Sequence, residues 1–175
     1  MGPSFWDRVV RHLSGSLVTT VLGLAIGATA MVYQLVSDHS FTQVLFSGQD
    51  ALGDLLGDSE SWSVGALLLL IACKGVAYSL SLSSFRGGPV FPAIFLGAAA
   101  GIAASHLPGL ELVPAAAMGI GAMCTVMLRL PLTATLLATV LLAADGLAVM
   151  PLVIVAVVVA YVVTARLTPL PAGSP

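Results

Sequence analysis

The feature that most constrains this chain is the length of its uncharged apolar runs. Residues 12–37 and 146–165 contain no Asp, Glu, Lys or Arg, and residues 61–82 contain a single charge, Lys74. An α-helix rises about 1.5 Å per residue, so about 20 apolar residues cross a hydrocarbon core of about 30 Å. The sequence therefore predicts three full-length transmembrane helices, the first of them over residues 16–36.

The overall composition also indicates an integral membrane protein. Only 8% of the 175 residues are charged and 58% are apolar, whereas a soluble domain carries about 25% charged residues. The net charge is −2 and the six basic residues are scattered along the chain. Because such a chain offers no basic surface to neutralise phosphates, we expect no nucleic-acid partner.

Three further apolar stretches are too short to cross a bilayer unaided. They cover residues 90–106, 114–128 and 131–144 and are separated by Gly, Pro or Arg. Non-helical backbone at membrane depth is tolerated only where protein buries it or a watery cavity solvates it. Interrupted helices of this kind are typical of transporter binding sites. We therefore predict an all-α polytopic membrane bundle with broken and tilted helices.

The distribution of charge predicts the domain organisation. We expect an N-terminal cytoplasmic segment over residues 1–11, one membrane domain over 12–167, and a disordered, proline-rich tail over 168–175. Basic residues lie near both ends of the chain, so the positive-inside rule places both termini in the cytoplasm. An acidic segment, residues 38–60, carries apolar residues at helical spacing, which predicts a segment lying along the membrane interface or dipping into it.

Small residues suggest how the helices pack. Gly23 and Gly27, and likewise Gly97 and Gly101, lie four residues apart, and alanines fill residues 98–104. Such faces let helix backbones approach closely. We therefore predict a tight bundle that also associates with other chains; the alternative is that Gly and Ala are simply common in membrane helices.

Metal sites and enzymatic constellations are not indicated. The two cysteines lie inside apolar stretches and are expected to be buried free thiols rather than a disulfide. The three histidines are far apart, and none lies beside Cys or a carboxylate at metal-ligand spacing. A serine hydrolase is also disfavoured, because a nucleophile elbow is missing. The residues concerned are Cys73, Cys124, His12, His39 and His106.

The most informative segment lies between two apolar runs, at residues 83–97. Its two glycines and two prolines, within Gly87-Gly88-Pro89-Val90-Phe91-Pro92, end one helix and begin another inside the membrane. The first N–H groups of a helix have no internal partner, and the helix dipole adds about half a positive charge there. With Gly88 leaving the backbone open, the amides of Val90 and Phe91 would face an anion. The alternative is a simple proline kink.

Two basic residues flank this break in the sequence. Lys74 lies within the second predicted span, and Arg86 stands directly before the glycines. A charge in hydrocarbon costs at least about 2.5–3.5 kcal/mol, so each is expected to face water, a partner or an ion route. There both would raise the local anion concentration. The alternative is that the side chains reach the lipid headgroups, which is easier for Arg86.

The segment Arg86–Gly101, RGGPVFPAIFLGAAAG, resembles the Gly-Gly-x-Phe-x-Pro segment of the CLC family of chloride channels and proton-coupled chloride antiporters. The resemblance extends over about residues 12–167 and includes the family's Arg-x-Pro-Leu-Thr element at Arg129 to Thr133. It implies a fold of two antiparallel repeats. Chloride would be held near the bilayer midplane by helix N-termini and hydroxyl groups.

Within that family the chain is similar to the second repeat only. The first-repeat elements, Gly-Ser-Gly-Ile-Pro and Gly-Lys/Arg-Glu-Gly-Pro with its gating glutamate, have no counterpart here. One family amide position is occupied by Pro89, which has no N–H, so Val90 is the first donor. The family's chloride-coordinating tyrosine lies beyond the last span, and Tyr161 does not match it. The resemblance therefore implies a first-repeat partner, a homodimer, chloride as the transported ligand and no cofactor.

These observations predict anion transport rather than an enzymatic activity. We expect a voltage-gated-type chloride channel or a proton-coupled chloride antiporter, as a C-terminal half or fragment, in a bacterial-type plasma membrane. The alternative is a non-conducting membrane interaction subunit or a truncated remnant. Channel and exchanger are not distinguished by the sequence, and neither is the preferred halide.

Overall fold

The computed structural model describes residues 5–37, 39–58, 62–84, 88, 90–142 and 146–167. Within these ranges the chain forms eight helices and no strand, which confirms the all-α prediction. The helices are α1 (Phe5–Ser37), α2 (Thr42–Leu45), α3 (Gln49–Gly57), α4 (Val64–Ser84), α5 (Val90–Ser105), α6 (Leu112–Leu128), α7 (Pro131–Leu141) and α8 (Gly146–Leu167).

Three helices have the length and apolar composition to cross a membrane, as predicted. The candidate spans are Leu17–Ser37 in α1, Val64–Leu82 in α4 and Gly146–Leu167 in α8. Helix α1 begins at Phe5, so it extends back into the segment assigned to the N-terminal region. The proposed tail at 168–175 lies outside the described residues.

Helices α5, α6 and α7 are shorter. They contain 16, 17 and 11 residues, so at 1.5 Å per residue they extend about 24, 26 and 17 Å, less than the hydrocarbon thickness. Such helices depend on their neighbours for burial. In agreement, α5 packs along α6, and α6 packs on α8 and α7.

Helices α5 and α6 approach each other at their glycines. A Cβ built on Gly97 would lie 2.5 Å from the backbone oxygen of Gly119, and a Cβ on Gly101 would also meet the α6 backbone. The predicted close packing is therefore confirmed for Gly97 and Gly101. It is not seen for Gly23 and Gly27, because a Cβ built on either would meet no atom of the described residues within 4 Å.

The end of α6 is set by the backbone. Arg129 adopts a left-handed conformation with φ of 55°, and its N–H donates to the carbonyl of Thr125 at 2.9 Å. The C-cap of α6 is therefore made by the backbone N–H of Arg129. Pro131 then occupies the first position of α7, where its missing N–H costs nothing.

The acidic segment folds against the membrane helices. Helix α2 packs on α4 and α1, and α3 packs on α5. Gly48 joins α2 to α3 with φ of +85°, and its backbone lies against the ring of Phe95 in α5. A residue with a side chain would be strained here, because only glycine adopts this conformation readily. Elsewhere in the core, Cys73 and Cys124 are free and buried, as predicted.

Candidate anion site

The helical path is interrupted between α4 and α5. Helix α4 ends at Ser84 and α5 begins at Val90, as the two glycines and Pro89 predict. Of the residues between them the structure describes Gly88, which is exposed. A Cβ built on Gly88 would meet no atom within 4 Å. Arg86 lies outside the described residues.

The N-terminus of α5 has the electrostatic character expected from its sequence. Its first turn contains no acidic residue, so no carboxylate within that turn competes for the unpaired N–H groups and the positive end of the dipole. Val90 is half-buried and packs against the apolar core. Phe91 is 46% exposed. The start of the helix is therefore anchored on one side and open on the other.

A cavity of about 230 Å³ lies beside this break, between α1, the α2 region, α4 and the start of α5. It is large enough for several water molecules. Among the described residues, four polar side chains contribute to its lining, from Ser47, Lys74, Tyr78 and Ser81, and no acidic side chain does. The remaining lining residues are Ile26, Val44, Leu45, Phe46, Ala77, Leu82, Gly88 and Pro92.

Lys74 is the one charged side chain among the described residues that line the cavity. It is the eleventh of the 21 residues of α4 and is only 1% exposed. Its Nζ donates to the backbone carbonyl of Phe46 at 2.9 Å and to that of Gln43. It also lies 4.3 Å from the centroid of the Phe95 ring, a cation–π contact. These partners are uncharged, so none of them neutralises the lysine.

The structure brings some of the predicted site residues together. Gly88 and Lys74 line the same cavity. Val90 and Phe91 begin α5 beside it, but their side chains are not part of its lining. The side chain of Lys74 turns into the protein, towards α2 and α5, and not along α4 to a membrane surface.

Sequence reasoning missed several lining residues. Tyr78 and Ser81 lie four and seven residues after Lys74, so the three share one face of α4. The sequence did contain a signal for this polar face, because polar residues recur at helical spacing within an otherwise apolar segment. Ser47 gave no such signal, because its position depends on how the α2 region folds back against α4.

The arrangement favours an anion over a cation. A buried ammonium group, hydroxyl donors and a helix N-terminus all present positive charge or hydrogen-bond donors to the same region. Within the described ranges no group of three or more His, Cys, Asp or Glu residues is placed to hold a metal ion.

Comparison with protein families gives a match to the family described as voltage gated chloride channel, over residues 4–165. The matched range includes every residue that lines the cavity. The comparisons with curated proteins and with solved structures returned no match.

Proposed function

The chain belongs to the voltage-gated chloride channel family, and from this membership we propose that it forms the second-repeat half of a chloride pathway across a membrane. Members of the family are channels or transporters rather than enzymes. The observation that carries the proposal is the cavity beside the α4–α5 break, with Lys74 buried in its wall.

The roles we assign follow from the chemistry of each residue. Gly88 leaves the backbone open, and the amides of Val90 and Phe91 donate to the anion at the start of α5. Lys74 and Arg86 raise the local anion concentration through their charge. Amide donation begins at Val90, because the preceding Pro89 has no N–H.

The free-energy cost of burying an anion indicates that a second half of the pathway is needed. Moving a bare monovalent ion into a low-dielectric interior costs about 20 kcal/mol in the idealised limit. One helix N-terminus stabilises a bound anion by about 1–2 kcal/mol. We therefore propose that a first-repeat segment supplies the missing donors.

The decisive experiment is chloride efflux from liposomes. The chain is reconstituted alone and together with a first-repeat partner, and efflux is followed with a chloride electrode. We expect anion-selective flux in at least one arm; its absence from both would refute the transport function. Simultaneous recording of proton movement separates an antiporter, in which the two fluxes are coupled, from a channel.

A second candidate function is supported by α1. A Cβ built on Gly23 or Gly27 would meet no atom of the described residues within 4 Å, as a surface for another helix requires. In this second proposal the chain acts as a non-conducting interaction subunit. Gly88→Leu distinguishes the candidates, since it should abolish flux in the first and leave association intact in the second. Gly65→Leu is the matched control, because a Cβ at Gly65 also meets no atom within 4 Å.

The setting in the cell belongs to the same proposal. We infer an integral protein of a bacterial-type plasma membrane, with both termini in the cytoplasm and two copies in the assembly. The three candidate spans support the placement in a membrane, and the basic residue in the last turn of α8, Arg166, supports a cytoplasmic C-terminus. Because three crossings are an odd number, this orientation also requires the shorter helices α5–α7 to carry the chain across the membrane once more. Chemical cross-linking in native membranes tests for the homodimer.

A further inference from the structure

The side chain of Lys74 connects three elements of the fold. It starts from α4, donates hydrogen bonds to the carbonyls of Gln43 and Phe46 in the α2 region, and lies over the Phe95 ring of α5. Phe95 in turn packs against Gly48, where a built Cβ would lie 2.6 Å from the ring. The lysine therefore fixes the position of the chain between α2 and α3.

The depth of this contact explains why the α2 region needs it. Lys74 lies ten residues from either end of α4, or about 15 Å along the helix axis, which places it near the middle of that span. The carbonyls it binds therefore lie far from the membrane surfaces. At that depth every backbone polar group must be hydrogen-bonded by protein or by water in a cavity.

Helix α2 cannot satisfy these carbonyls itself. It contains only four residues, and Phe46 is its C-cap. The last carbonyls of a helix have no internal donor. Those of Gln43 and Phe46 obtain theirs from Lys74. Without the lysine, two acceptors would lose their donor, and one of them belongs to Phe46, which lines the cavity, so its negative end would be available to face an anion.

We propose that Lys74 is a positioning residue: its ammonium group holds residues 42–48 as one wall of the cavity and thereby shapes the anion site. This inference rests on the proposed function for the identity of the ligand. Two of the three N–H donors of Lys74 are already committed to carbonyls. The lysine consequently acts on the anion by arranging the wall and by its charge, while hydroxyls and amides are the direct donors.

The test measures the wall and the ligand separately, on the purified full chain in detergent. Hydrogen exchange reports on the wall through the amides of Val44, Leu45 and Phe46, which are hydrogen-bonded to the carbonyls of Phe41 and Thr42. Calorimetric titration with sodium chloride, against sodium gluconate as the blank, reports on anion binding and is run on the chain alone and together with a first-repeat partner. The variants are Lys74→Met, Lys74→Arg and Ser81→Ala.

Lys74→Met should speed exchange over residues 42–48 at least tenfold and weaken chloride binding at least tenfold. Lys74→Arg keeps the charge and the donors, so both quantities should stay within about threefold of wild type. Ser81→Ala removes one hydroxyl from the cavity lining and should weaken chloride binding without changing exchange over residues 42–48. The combination distinguishes a residue that positions the wall from one that only contacts the ligand.

Unchanged exchange over residues 42–48 in Lys74→Met would overturn the inference. A wild-type chain that binds no chloride either alone or together with a first-repeat partner would instead count against the proposed function, and the exchange comparison would still decide the role of Lys74. If Lys74→Met also shows fast exchange over residues 115–121, which lie in α6, the variant has unfolded more widely than the wall. The variant Phe95→Leu is then used in its place. That variant should speed exchange over residues 42–48 at least threefold, and no change would again overturn the inference.

Discussion

At the scale of single residues, one missing methyl group decides how closely α5 and α6 approach. A Cβ at Gly97 would meet backbone atoms of α6, 2.5 Å from the oxygen of Gly119 and 2.8 Å from the Cα of Ile120. Backbone cannot rotate away as a flexible side chain can. The two helices would have to separate, and they form the most extensive helix pair of the fold.

We predict that Gly97→Ala destabilises the folded chain by about 1–3 kcal/mol, the usual cost of overpacking a filled interior. The matched control is Gly23→Ala, where the added carbon meets nothing within 4 Å. That variant should be neutral or stabilise by about 0.5–1 kcal/mol, because Ala suits a helix better than Gly. Free energies of unfolding from denaturant titrations in detergent compare them, and equal effects would disprove the role assigned to Gly97.

A second residue-scale prediction concerns Tyr33, which is fully buried in α1. Its hydroxyl donates to Oε1 of Gln43 at 2.8 Å, so Tyr33→Phe removes the donor and leaves the amide oxygen unpaired. We predict a loss of about 0.5–1.5 kcal/mol in unfolding free energy. Tyr161→Phe is the control, since Tyr161 is exposed on α8, and its effect should be smaller. A larger loss for Tyr161 would contradict the assignment.

At the scale of elements, the junction of α2 and α3 depends on one glycine. Gly48→Ala would place a side chain at φ of +85°, with its Cβ 2.6 Å from the ring of Phe95 and 2.9 Å from the Phe95 Cβ. The strain of a left-handed residue adds about 1–2 kcal/mol to the overlap. We predict a loss of more than 1 kcal/mol, whereas Gly53→Ala within α3, which meets nothing within 4 Å, should lose none. Thermal unfolding followed by circular dichroism distinguishes the two variants.

The long helices could be predicted from the sequence and the short α2 could not. Runs with at most one charged residue mark the candidate spans in α1, α4 and α8 to within a few residues, because hydrocarbon disfavours charge along a whole span. The start of α1 at Phe5, before its span, was not predicted. A four-residue helix has no comparable signal. It forms because α1 and α4 supply partners for its polar groups, and contacts with Tyr33 and Lys74 cannot be read from local spacing.

At the scale of the whole molecule, the break could be predicted and the cavity could not. Gly88 and Pro89 stop a helix wherever they stand, so the start of α5 at Val90 followed from the local sequence. The cavity is lined from Ile26 to Pro92, by residues of four separate elements. Their convergence depends on the packing of α1 and α2 against α4, which a single sequence without tertiary contacts does not specify.

The orientation of the chain in the membrane is a property of the whole molecule and can be tested by labelling. With Arg166 in the last turn of α8 and further basic residues near the start of the chain, the positive-inside rule places both ends in the cytoplasm. Leu167→Cys should react with a membrane-impermeant maleimide only after the cells are permeabilised. Ser40→Cys follows the far end of the α1 span and should react in intact cells. Background labelling should be low, because Cys73 and Cys124 are buried. Labelling of Leu167→Cys in intact cells would contradict the cytoplasmic placement of the C-terminus.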